Sequence, residues 1–132
     1  MAIKKNPSRQ DILSANVDIN FGDIATGVAA NAVELPAGAI IVGGFLSTIT
    51  AFNSGTSDVA VITAPNTDVL LTSTSIHAAG FTGALATSGK AMITSGNVTI
   101  TWTGVGAVPT TGKVRLVVKY IVVGRTMVNQ GV

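Results

Sequence analysis

The chain has 132 residues, enough for one domain, and its lack of cysteine excludes disulfides and thiolate metal sites. Only 11% of residues are charged, net +2, with a mean hydropathy of +0.56. A free monomer with so few charges is poorly soluble, so much of its outside is expected to lie against other protein; a neutral β-domain with a Thr/Ser/Asn surface is the plainer alternative.

Residues 1–14 read as an extended arm. They carry Lys4, Lys5 and Arg9 and have too little apolar content to fold alone. Asn6-Pro7 is a fair helix start, so residues 8–13 are open to one helical turn. A short basic tip without aromatics is weak support for nucleic-acid binding, and an arm lying on a neighbouring subunit fits better. No apolar run follows the N-terminal charges as a signal peptide would require, and no window is long enough to span a membrane.

Strands follow at short spacing in residues 15–125. Val17, Ile19 and Phe21 alternate with Asn16, Asp18 and Asn20, and Gly22-Asp23 turns the chain. Residues 27–35 are a weaker strand ending at Pro36-Ala37-Gly38. Residues 39–52 are the longest extended run, with a bulge or bend expected at Gly43-Gly44. Residues 58–63 and 68–73 are strands around a turn at 64–67. Residues 75–80 suit a single helical turn, residues 81–88 show no clear pattern, and residues 90–94 read as a strand.

The strongest signal lies in residues 97–125. Val98, Ile100 and Trp102 share one strand face. After Gly104, Gly106, Pro109 and Gly112, the residues Val114, Leu116, Val118, Tyr120 and Val122 share another. The two runs read as an antiparallel hairpin. The opposite face of the last strand mixes Lys113, Arg115 and Lys119 with Val117, Ile121 and Val123. A purely solvent-facing strand does not place three β-branched residues among its charges, so a second packing surface is expected there. Its bases would meet carboxylates of a neighbouring subunit. Residues 126–132 are left as a tail.

About eight strands without a long helix indicate an all-β, single-domain antiparallel β-sandwich. A jelly roll is the first choice and an immunoglobulin-like sandwich the alternative. The charges are segregated along the chain: residues 1–14 are net +2, residues 15–89 net −5 and residues 90–132 net +5. Segregation favours ordered contacts between subunits, unless folding interleaves the strands and neutralises both signs.

No catalytic pattern stands out. His77 is the single histidine, which rules out a multi-histidine metal site. Asp58 or Asp68 could orient it, but there is no nucleophile elbow. A surface or packing role is the plainer reading of His77, and a core position that of Trp102. Gly104-x-Gly106 lacks the third glycine of a dinucleotide loop. The Asn97-Val98-Thr99 sequon lies in an expected strand and is discounted. Six aromatics leave few platforms for a sugar site, with Phe52 and Phe81 the only loop candidates. No catalytic, cofactor-binding or metal residue is therefore assigned.

Three phrases resemble tailed-bacteriophage capsid cement, or head decoration, proteins with a jelly-roll fold. They are Leu35-Pro-Ala-Gly-Ala-Ile-Ile-Val-Gly-Gly, Ala51-Phe-Asn-Ser-Gly-Thr-Ser-Asp and the run from Ile100 through Val122. The resemblance covers roughly residues 28–125. It implies a non-enzymatic virion protein, made in the host cytoplasm, on the outer surface of the capsid. It also implies the major capsid protein as partner, a homo-oligomer (dimer or trimer), and no membrane, small-molecule substrate or specific nucleic acid. The interface residues would be Lys4, Lys5, Arg9, Lys113, Arg115, Val117, Lys119 and Ile121. A receptor- or carbohydrate-binding module of a tail or head fibre is the competing function.

Overall fold

The computed structural model describes residues 11–122. Lys4, Lys5, Arg9 and the tail at 126–132 lie outside them, as does most of the expected arm. Period-two alternation builds eight strands: β1 (Leu13–Asn20), β2 (Ala29–Leu35), β3 (Ala39–Thr50), β4 (Ser57–Thr63), β5 (Val69–Ser75), β6 (Gly80–Ala84), β7 (Gly96–Val105) and β8 (Lys113–Val122). Leu13 and Ser14 already belong to β1, so Leu13 closes no helical turn. The described residues contain no helix.

The strands form two four-stranded antiparallel sheets, ordered β1-β8-β3-β6 and β2-β7-β4-β5. Apart from the β4–β5 hairpin, every connection crosses from one sheet to the other. This is a jelly roll. In an immunoglobulin-like sandwich the first strand pairs with the second; here β1 pairs with the last, from Leu13 opposite Tyr120 to Asn20 opposite Lys113.

The inward faces meet as expected. Val98, Ile100 and Trp102 of β7 are buried against Val114, Leu116 and Val118 of β8. Each such side chain contributes about 1.5–3 kcal/mol by leaving water. Tyr120 is partly buried at the edge of this core.

The expected hairpin does not form. β7 pairs with β2 and β4, whereas β8 pairs with β1 and β3. Two strands with equally apolar faces can lie edge to edge or face to face, and alternation is the same in both. The Gly/Pro loop carries the chain across the sandwich.

Other differences are local. Residues 76–79 bend without forming a helical turn, and Gly80 opens β6. Residues 90–94 make one bridge, Ala91 to Ile40, instead of a strand. The edge of β3 from Phe45 to Thr48 is taken by β6, and the first residues of β3 meet residues 91–92 instead, the Met92 amide donating to the Ala39 carbonyl. Met92 is buried there while Ile93 is 94% exposed.

The Gly43-Gly44 bulge is present, as a register shift against β8 between Ile41 and Gly43. Gly44 has φ +137°, and a Cβ there would overlap the Val117 carbonyl oxygen. Only glycine accepts both conditions.

Candidate interaction surface

The bulge decides which β3 side chains face out. Before it, Ile41 is buried and Ile40 is not; after it, Leu46 and Thr48 are buried, and Phe45 and Ser47 point outward. Directly opposed residues of paired strands share a face. Ile40 therefore stands beside Ile121 and Phe45 beside Val117. On β6, Phe81 is 70% exposed, and its ring lies 6.3 Å from that of Phe45. The outer face of the β1-β8-β3-β6 sheet thus carries an apolar patch in two parts, Phe45, Phe81 and Val117 on one side of Lys119 and Ile40 with Ile121 on the other; Phe81 is exposed and the other four are half-buried.

The sequence pattern finds Val117 and Ile121, but not their three neighbours. The bulge switches the parity of β3, so alternation cannot be read across it. The paired glycines are the signal that marks the switch.

The basic residues of β8 divide. Arg115 donates two hydrogen bonds to Asp18, Nε to Oδ1 at 2.7 Å and Nη2 to Oδ2 at 3.0 Å. Lys113 lies 3.6 Å from the same carboxylate. The Arg115 hydrogen bonds hold the Asp18 carboxyl below its ordinary pKa, against a partial desolvation that pushes it up, and Asp18 in turn raises Arg115. The first carboxylate these bases meet is therefore in their own chain. Pairing β1 with β8 interleaves the acidic and basic segments at this point.

Lys119 faces Ser14 on one side and Gly43 on the other. It is exposed, forms no ion pair among the described residues, and sits between Val117 and Ile121 within the patch.

A second polar cluster lies inside one end of the sandwich. Asp58 is fully buried and accepts four hydrogen bonds. The Ser54 amide donates to Oδ2 at 3.1 Å, Trp102 Nε1 to Oδ1 at 2.9 Å, and the Ser54 hydroxyl to Oδ1. The fourth is from His77 Nδ1 to Oδ2 at 2.7 Å. Burial pushes the Asp58 carboxyl up, but the Ser54, His77 and Trp102 hydrogen bonds together outweigh it, so its pKa falls below the ordinary value. An ionised carboxylate only accepts, so Nδ1 carries the proton.

Asp58 is thus the acid that orients His77. In a nucleophilic triad, however, the histidine stands between acid and nucleophile. Here Ser54 donates to the acid itself, and the cluster braces three segments instead. Among the described residues, no group of three or more His, Cys, Asp or Glu side chains could hold a metal ion. Phe52 is fully buried and packs at 5.4 Å from the Trp102 ring, so it offers no sugar platform.

No family model matches the chain, and no curated protein matches it. Two solved structures share its fold. One is a chain of the cyanophage Pam1 capsid asymmetric unit, 17% identical over 91% of this chain and 90% of that one, with a TM-score of 0.58. The other is a chain of the capsid of Ralstonia phage GP4, 16% identical over 95% and 93%, with a TM-score of 0.60.

Proposed function

We propose that the protein is a structural component of a phage virion, a cement or decoration protein that binds and stabilises the shell of major capsid protein. The outer face of the β1-β8-β3-β6 sheet is the contact. It would lie on the outer surface of the capsid, as a homo-oligomer, after synthesis in the host cytoplasm, and it has no enzymatic role.

The observation that carries this proposal is the apolar patch around Lys119, on a chain of which 11% is charged. Exposed apolar area rimmed by polar groups marks a protein contact. Phage-capsid chains of the same fold support it. Within the contact, Val117 and Ile121 supply the desolvated centre with Phe45 and Phe81. Lys119 is a cation for a partner carboxylate. Lys113 and Arg115, engaged with Asp18, form the rim, where ion pairs contribute about 0–1 kcal/mol each. Lys4, Lys5 and Arg9 add arm contacts to the capsid or to a neighbouring copy. Phe52 is buried, which removes one of the two loop aromatics that the carbohydrate-binding alternative relied on.

The test replaces Ile121 and, separately, Phe81 by Asp, and measures melting temperature and occupancy on capsids. Loss of a central apolar contact costs about 2 kcal/mol, a roughly 30-fold drop in affinity. Phe81→Asp is expected to leave melting nearly unchanged while occupancy falls. Full occupancy of both variants refutes the contact; lost melting stability in Ile121→Asp alone assigns that residue to the chain's own packing.

A further inference from the structure

A cavity of about 390 Å³ opens at the end of the sandwich where β1 hands over to β2 and β7 to β8. Its walls include Phe21, Ile24, Ala25, Trp102, Val108 and Pro109. Apolar groups also stand exposed around it: Val28 at 58%, Val105 at 51% and Val108 at 86%.

The walls are built. The Gly27 amide donates to the Trp102 carbonyl at 2.7 Å, the Gly104 amide to Thr26 Oγ1 at 3.0 Å, and the Phe21 amide to the Gly112 carbonyl at 2.9 Å. Asn53 Oδ1 accepts from the amides of Thr110 and Thr111. Asp58 fixes Trp102 and Ser54 beneath. A cavity held by so many cross-links does not close by collapse.

Its charge is also specific. Within the connecting loops at residues 21–28, 51–56 and 106–112, Asp23 is the single charged side chain. It lies between the wall residues Gly22 and Ile24 and is exposed. The matching ligand is a short apolar group followed by a base. Outside residues 11–122, one segment has two bases directly after a short apolar run: Met1, Ala2 and Ile3, followed by Lys4 and Lys5, with no acid among residues 1–10.

We propose that the cavity receives residues 1–3 of a second copy of the chain, leaving Lys4 and Lys5 at the rim beside Asp23. The strand direction favours a second copy over the same one. β1 runs from Leu13 toward the cavity, so Leu13 lies at the far end, roughly 26 Å away at about 3.3 Å per residue. Within one chain, residues 3–12 would have to reverse at once and run back at roughly three-quarters of their maximum reach of about 34 Å. A neighbour whose Leu13 end abuts the cavity is under no such constraint. The contact is heterologous, one end of a copy against the other end of the next, and closes into a ring where the rotation allows. It does not depend on binding to a capsid.

The chain is free of cysteine, so a cross-linking test has no background. Full-length Ala2→Cys, keeping both Met1 and Ile3, is mixed with mass-tagged Ala25→Cys and oxidised. Ala25 is exposed, so its substitution leaves the core intact. A covalent product of one tagged and one untagged chain is expected. Mixing Ala2→Cys with Thr94→Cys, exposed at the opposite end, should yield little of it. A mixed product no stronger than this control overturns the proposal. In the double variant Ala2→Cys/Ala25→Cys, closure within single chains in preference to chain-to-chain products assigns the cavity to the chain's own segment and overturns the second copy.

Discussion

Replacing Asp58 by Asn removes one charge and almost no volume, and so isolates the role of the buried carboxylate. Oδ1 accepts from Ser54 Oγ and Trp102 Nε1, and Oδ2 from the Ser54 amide and His77. An asparagine amide keeps one oxygen. In its better orientation, the NH2 faces the Ser54 amide and His77, because the partly exposed His77 can turn to water. The buried Ser54 N–H is then unpaired, at about 1–3 kcal/mol, and two charge-assisted hydrogen bonds become neutral. The sum is roughly 2–4 kcal/mol, or a melting point lower by about 10 °C for a chain of this size. The loss depends on pH. The folded carboxyl has a pKa below 3.8, its unfolded reference. Its stabilisation is therefore full above that value and is lost as pH falls through the folded pKa. The other carboxylates titrate in both proteins and cancel in the difference. Thermal unfolding of wild type and Asp58→Asn should show the full gap at pH 7 and a shrinking gap below about pH 3.8. A variant as stable as wild type at pH 7, or a gap that does not change with pH, refutes the role of the charged network.

Trp102→Ala should cost about 3–5 kcal/mol by chemical denaturation, through the lost ring and the vacated space against Phe52; a loss under about 1 kcal/mol would remove Trp102 from the core. Gly44→Ala should destabilise by at least about 1–3 kcal/mol, since a Cβ meets the Val117 carbonyl at a φ that side chains avoid. Gly43→Ala, with open space at its Cβ, should be much milder in the same melt, and equal effects would refute the steric account of the bulge.

Much of the fold is legible because alternation is strong where burial is one-sided. Val98 to Trp102 and Val114 to Val118 are assigned to the core from parity alone. What parity does not carry is the partner of each strand, and the pairing of β7 with β8 fails there. β6 escapes because Gly80, Thr82, Gly83 and Ala84 have little apolar contrast; the ladder with β3 makes the strand. On the candidate surface, the last strand's contribution follows from period two, and that of β3 is hidden by the parity switch at Gly43-Gly44. Of the Asp58 cluster, the sequence offers the Asp58–His77 pair only as one of two options; the roles of Ser54 and of Trp102, 44 residues away, show only when the loops converge.

β8 is the last described strand, yet it occupies the middle of its sheet, with β1 on one side and β3 on the other. Until a ribosome has released that segment, β1 and β3 have no partner between them. Their apolar faces, including Ile19, Ile41 and Leu46, have no completed sheet to hold them in place. The β1-β8-β3-β6 sheet is therefore completed only once β8 is available, and its long-range pairing makes that step slow. A message cut short before Lys113 yields a chain without its central strand. Such a fragment lacks the strand that carries Val117 and Ile121, so only chains that include β8 present the complete set of outward apolar side chains.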